Sequence, residues 1–370
     1  MNKIFIEVDG VIYENIVDIR VRRSMTEFCG AFTMSATNES TSISELRNFP
    51  IKPKSRIRIY IDDTPVLTGY IDSITIKVSA SGGYELSING RDITQDLFDS
   101  SLQGNIEFKN SISFKKIIER VLTNLGATDI KVIDNVGNLD DFKTSELVSG
   151  SIDETAFEFL NKLAKKRQVL ISTNGEGNIT ISRSSTDNVG GELRLTLGDN
   201  ENNIIDASNP IDNTGRFNKY NIFSQDNISS GFGDFQDVVN KEASSTDEEI
   251  RATRIINIIP ENSCNTKDCQ NRAIWERNFR KAKSNSVSCT VKDFYADEEN
   301  KKLWEVNKLV NTKIDLLGIY TDFLIKTVEF SQGNNEIITS LELVDKNAYT
   351  LESNLEKLNI LQSEQKDSLF

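Results

Sequence analysis

Residues 64–77, TPVLTGYIDSITIK, decide how this chain is read. A short apolar run meets Thr-Gly-Tyr and then alternates. Ile71, Ser73, Thr75 and Lys77 fall on one parity; Asp72, Ile74, Ile76 and Val78 fall on the other. A period of two marks a half-buried strand. A compact polar knot follows at 89–97, NGRDITQDL. The two stretches read as strands closing on a Gly-Arg-Asp corner, with Gly69, Tyr70, Asp72, Gly90, Arg91, Asp92 and Asp96 as its candidate residues.

Two chemistries fit such a corner. Carboxylates beside an arginine are the equipment of general acid–base hydrolysis. The same residues also suit a structural corner. A glycine lets a strand bend at a barrel edge, an arginine satisfies two carboxylates or loop carbonyls, and Asp92 caps the turn that follows. The structural reading is preferred, because the knot sits at a strand end with no acid–base partners nearby, and catalysis requires groups converging in a pocket. The seven residues are therefore expected to form a structural motif, with no catalytic residue, no cofactor and no metal.

The bulk composition points the same way. A chain of 370 residues exceeds one comfortable core and predicts two to four domains. It carries 43 basic against 56 acidic side chains, a net charge of −13. That balance argues against a surface built to grip phosphate and favours DNA sliding past over DNA binding. With no histidine in the sequence, a histidine base, a Ser-His-Asp array and a histidine zinc site are all excluded. Of the cysteines Cys29, Cys264, Cys269 and Cys289, only Cys264 and Cys269 are close, and a Cys-only metal site would need a second close pair. No apolar run spans a bilayer, and the start reads as a strand rather than a secretory signal.

Outward from the corner the chain changes period twice. Residues 1–104 read as short strands, with hairpin signals at Asp9-Gly10, at 62–65 and at Gly82-Gly83. At 105–186 a small α+β unit is predicted. Its first helix places Phe114, Ile117, Ile118, Val121, Leu122 and Leu125 on one face, with Gly126 as C-cap. Its second has a Ser151/Glu154 capping box and a stripe of Ala156, Phe157, Leu160, Leu163 and Ala164, with Lys165, Lys166 and Arg167 answering the helix dipole. A β-hairpin turns at 175–177. From 187 to 347 the strands return, interrupted by a loop and helix insertion at about 226–283 and closed by a hairpin at 333–335. Trp275 and Trp304 are expected in the core. Arg20 and Arg22 lie on the outer parity of a strand while Val21 faces in. Residues 348–370 carry Leu351, Leu355, Leu358 and Leu361 among charges and are expected as an amphipathic tail. Two β-units on either side of an α+β unit hint at a duplicated fold.

The ordered set RIRIYIDDTPVLTGYIDSITI, LSINGRDITQDLFDSSL, GSIDETAFEFLNKLAKKRQVLISTNGEGNITISR and GRFNKYNIFSQ, followed by the stretch from RAIWERNFRKAK to LELVDKNAYT, resembles the phage Mu-type baseplate hub proteins. Such hubs are in turn related to the N-terminal region of type VI secretion spike proteins. The resemblance covers nearly the whole chain except about 226–268 and the residues after about 350. It implies a mainly β fold with α+β parts: tube-like β-barrel domains at 1–104 and 187–347 flanking the small α+β domain. It implies a homotrimeric structural protein, not an enzyme, in the baseplate of a contractile phage tail or tailocin. That hub would join a sixfold tail tube to a threefold central spike and form part of the channel. The implied partners are the spike, the tail tube or tube-initiator protein and the tape measure protein, with DNA passing unbound and no membrane anchor. The implied location is the virion, after assembly in the host cytoplasm. The rival readings are a tail-associated cell-wall hydrolase and the spike base of a type VI-like secretion system.

Overall fold

The computed structural model describes residues 4–13, 18–38, 51–78, 84–146, 148–225, 240–260, 265–333 and 336–349. The chain opens with β1 (Ile4–Val8), β2 (Val11–Tyr13), β3 (Asp18–Ser24), β4 (Ala31–Asn38), β5 (Arg56–Ile61), β6 (Thr64–Val78) and β7 (Tyr84–Asp92). Asp9 and Gly10 turn β1 into β2, both with positive φ, as a two-residue hairpin requires. The α+β unit follows: α1 (Gln95–Asp99), β8 (Ile106–Phe108), α2 (Phe114–Leu125), β9 (Val132–Asp134), β10 (Val148–Gly150), α3 (Ala156–Lys166), β11 (Leu170–Thr173) and β12 (Ile179–Ser182). The second β-run has β13 (Asn188–Leu195), β14 (Ile204–Ser208), β15 (Lys219–Gln225), β16 (Asn240–Thr246), β17 (Ile255–Ile258), α4 (Thr266–Ser284), β18 (Ser286–Lys292), β19 (Tyr295–Asp297), β20 (Lys302–Leu303), β21 (Leu309–Ile314), β22 (Ile319–Gln332) and β23 (Ile337–Asp345).

The two β-runs repeat one topology. In space the first runs β1-β5-β6-β7-β4-β3 and the second β13-β21-β22-β23-β18-β14. Written in chain order, these are the same permutation. All pairs within the two runs are antiparallel except β13–β21, which is parallel where β1–β5 is antiparallel.

The correspondence reaches single hydrogen bonds. Lys54 N donates to Ile71 O and Ile71 N to Ser55 O; Asn307 N donates to Ile325 O and Ile325 N to Lys308 O. Lys54 and Asn307 both adopt left-handed φ, 82° and 62°. A bulge follows at the same place in both long strands, between Ile71 and Ser73 and between Ile325 and Thr327. A bulge adds one residue and flips the parity, so Ile71 is buried and Ile74 is packed on the same core. The sequence placed these two isoleucines on opposite faces.

Both runs share one sheet and one hydrophobic cluster, from Ile4 and Val21 to Val328 and Leu343. Each fully buried aliphatic side chain there contributes about 1.5–3 kcal/mol relative to exposure. β3 and β22 make the join, with Ser24 opposite Thr327 and Ile19 opposite Gln332. The α+β unit has its own core, led by Phe114, Ile117, Ile118, Phe142, Phe159 and Leu160.

Several local expectations are corrected. The capping box of α3 is Thr155 with Glu158, not Ser151 with Glu154, which forms a preceding turn. Phe159 takes the buried position, while Phe157 stacks on Phe28 with ring centroids 4.7 Å apart. Residues 240–246, read as loop, form β16 against β15. The Gly82-Gly83 turn, Cys264, most of the 333–335 turn and the tail beyond Tyr349 lie outside the described residues. Trp275 and Trp304 are buried.

Candidate functional site

The corner forms where β7 ends beside the middle of β6. Gly69 lies opposite Asp92, Tyr70 opposite Arg91 and Ile71 opposite Gly90. Its glycines permit close backbone approach. A Cβ on Gly69 would sit 2.0 Å from Arg91 O, and one on Gly90 would sit 2.2 Å from Tyr70 O and 2.6 Å from the Phe32 ring. No side chain fits either place without moving backbone.

The charges separate into two groups. Arg91 faces outward and pairs with Asp72 (Nε to Oδ2, 2.9 Å) and with both oxygens of Asp99 (3.2 and 2.6 Å). These bonds raise the arginine's pKa, and the hydrogen bond from Arg91 lowers that of Asp99. Exposed pairs of this kind are worth about 0.2–1 kcal/mol each. Asp96 stands exposed in the first turn of α1. Asp92 points the other way and is 2% exposed. It accepts from the backbone N–H of Gly30 and Thr94 and from the hydroxyls of Thr94 and Thr173. Burial raises its pKa against the pull of those four bonds.

Thr173 belongs to β11, so Asp92 ties the first β-unit to the α+β unit. The same hairpin tip makes three more ties. Thr68 Oγ1 donates to Gly175 O at 3.1 Å, and Arg23 Nη2 to Thr173 O at 3.2 Å. Gly175 passes so close to Pro65 that a Cβ there would lie 2.1 Å from the Pro65 carbonyl oxygen. The corner is a clamp between two units. Asp72, Asp92 and Asp96 all lie outside the lining of the polar cleft of about 690 Å3 beside Arg23.

A second corner stands at the equivalent place. Phe323 lies opposite Asp345, as Gly69 lies opposite Asp92. Asp345 Oδ1 accepts from Asn347 N at 2.8 Å, as Asp92 Oδ1 accepts from Thr94 N at 3.0 Å. Leu324 and Val344 replace Tyr70 and Arg91, and they pack with Met25, Trp275 and Tyr349 beneath α4. The aspartate turn is thus common to both units. Gly-Arg belongs only to the corner that receives the hairpin.

Residues 3–92 match the family described as Mu phage baseplate assembly protein GpP-like, N-terminal. Residues 94–183 match the second domain of the baseplate hub protein gp44-like family. Over these two stretches the chain is similar to the Mu-type baseplate hub proteins. It is 25% identical over 332 residues to baseplate hub protein gp44 of Escherichia phage Mu, covering 88% of this chain and 82% of that one. Among solved structures it is similar to the 43 kDa tail protein of prophage MuSo2 from Shewanella oneidensis. That match has 28% identity and a TM-score of 0.77, over 94% of this chain and 99% of the other. A tail protein from Neisseria meningitidis MC58 shares the fold, at 16% identity and a TM-score of 0.77, over 94% and 98% of the two chains.

Two features of the structure escaped the sequence reading. Lys166 and Arg167 do not simply face solvent at the end of α3. They are buried and pair with Glu146 at 3.1 and 2.7 Å, and Arg167 also covers the Phe142 ring at 3.9 Å. Glu146 is burdened by burial, but hydrogen bonds from Arg167, the Lys143 N–H and Lys166 hold its pKa down to about 2. The other feature is Thr173 as the partner of Asp92, which lies 81 residues away along the chain. No local pattern signals either contact.

Proposed function

We propose that the chain is the structural hub of a contractile tail and acts as a homotrimer. Three copies form a ring in which the two β-units of each chain occupy six near-equivalent places, as two tube-like barrels per chain. One face of the ring receives a sixfold tail tube and the other a threefold spike. The observation that carries this reading is the duplication: one strand permutation, one bulge position and one left-handed residue ahead of it, each present twice. A threefold assembly becomes sixfold to a neighbour only if each chain presents the same shape twice.

The sheet's solvent face supports a channel role. It carries small hydroxyl and amide side chains, among them Thr33, Ser87, Asn89, Ser288, Ser331 and Ser340. Arg22 there is held by Glu27, and Arg91 by Asp72 and Asp99. A wall on which Arg22 and Arg91 are paired with carboxylates, on a chain of net charge −13, favours DNA passing over DNA being gripped. The spike, the tube or its initiator and the tape measure protein are the partners in this reading, and the virion baseplate is the location, after assembly in the host cytoplasm. The corner contributes stiffness, not catalysis. Light scattering after size exclusion tests the assembly: a species of three 41.6 kDa chains is expected, and a monomer at every concentration, with and without the spike, contradicts it.

A further inference from the structure

Inside the chain the two units are joined edge to edge, with β3 lying along the second half of β22. The shared register assigns every residue of this seam a counterpart in the other unit. Val328, Phe330 and Gln332 of β22 correspond to Ile74, Ile76 and Val78 of β6. Ile19, Val21 and Arg23 of β3 correspond to Ala207, Asn209 and Ile211, on β14 and just beyond it. At the internal seam Ile19, Val21, Val328 and Phe330 are each 2% exposed or less. On the counterpart edges Ile76 is 44%, Val78 73% and Ile211 69% exposed, while Ile74, Ala207 and Asn209 are half-buried. Among the described residues, the second half of β6 pairs with β7 alone and β14 with β18 alone.

The backbone carries the same correspondence. Met25 N donates to Lys326 O, so the alternating N–H groups of Arg23, Val21 and Ile19 also face β22. On the counterpart edge Asp212 N donates to Ser284 O, at the β18 side. The N–H groups of Ile211, Asn209 and Ala207 therefore point to the open side. Pro210, which has no N–H, occupies a position whose backbone faces β18, so the open edge loses no donor to it.

We propose that these two open edges pair between copies of this chain. Residues 207–212 of one copy run antiparallel to residues 73–78 of the next, with Ile74 opposite Ile211, Ile76 opposite Asn209 and Val78 opposite Ala207. The seam rests on the hub reading and supplies its ring, since it repeats between chains the contact already made within one. It is head-to-tail, and such a contact closes when its rotation divides the circle. Pairing also covers two strand edges that would otherwise invite unspecific addition.

Lys77 and Ser208 face each other in this register as a non-hydrogen-bonded pair, with Cα atoms about 4.5 Å apart and within disulfide reach. The test is oxidation of the full-length chain carrying Lys77→Cys and Ser208→Cys, followed by a non-reducing gel and light scattering. A covalent ladder ending at three chains and collapsing with reductant is expected. The parent, each single variant, and Lys77→Cys combined with Ile205→Cys, which is out of register, give none. As a second variant, Ile76→Asp abolishes association while its thermal melt stays within a few degrees of the parent. A trimer by scattering without the in-register ladder, or with an equal ladder from the shifted pair, overturns the seam and leaves the hub reading standing. A chain that is monomeric by scattering at every concentration, with and without the spike, and gives no ladder overturns both.

Discussion

Replacing Asp92 by alanine removes the acceptor that four donors share. Two of these are hydroxyls, on Thr94 and Thr173, and can rotate toward other partners. The other two are the backbone N–H groups of Gly30 and Thr94, which cannot. A buried donor left unpaired costs about 1–3 kcal/mol, so the two left by Asp92→Ala should cost about 2–6 kcal/mol. Asp92→Asn keeps one carbonyl oxygen and relieves the burial of a charge, so it should cost less than alanine. The loss should also be local, because Asp92 clamps the hairpin of the α+β unit onto the first β-unit. Both tryptophans, Trp275 and Trp304, lie in the second β-run. Urea unfolding of Asp92→Ala followed by far-UV circular dichroism should therefore shift to lower urea more than the same unfolding followed by tryptophan fluorescence. Equal shifts by the two probes, or a loss below about 0.5 kcal/mol, the range of an ordinary surface substitution, would refute the clamp.

Two further outcomes follow from the same contacts. Gly175→Ala places a Cβ against the Pro65 carbonyl, backbone against backbone. The hairpin tip must lift at a cost of about 1–3 kcal/mol, read as a lower melting temperature that Gly215→Ala, with open space around it, does not share. Glu146 has a folded-state pKa of about 2 against an ordinary 4.5. Its contribution is complete above pH 4.5 and is lost as pH falls toward 2, so Glu146→Gln should be less stable than the parent at pH 7 and converge with it in acid titrations of the urea midpoint.

What the sequence could and could not reveal follows from how local each signal is. Helix α2 was legible because its stripe and its Gly126 C-cap all lie within thirteen residues. The Asp9-Gly10 hairpin was legible for the same reason. The β16 strand was not, since NKEASST has no apolar alternation and pairs as a surface ribbon on β15. The bulge in β6 hid behind an apparently unbroken alternation. The duplication was hidden most deeply. Matched positions such as Gly69 and Phe323, or Arg91 and Val344, share no side-chain chemistry, because one corner receives a polar hairpin tip and the other an apolar helix face. What the two units share is register, which is written in backbone hydrogen bonds. At the candidate site, the residue types were legible and their partners were not: Arg91 chose Asp72 and Asp99, and Asp92 chose a threonine from another unit.

The central claim is that one chain presents the same shape twice so that three chains can present it six times. Electron-microscope class averages of the purified assembly, viewed down its axis, test it most directly. The account predicts a closed ring of six densities at near-equal spacing, alternating between two slightly different outlines. A ring of three densities, or an open chain of units, would contradict it.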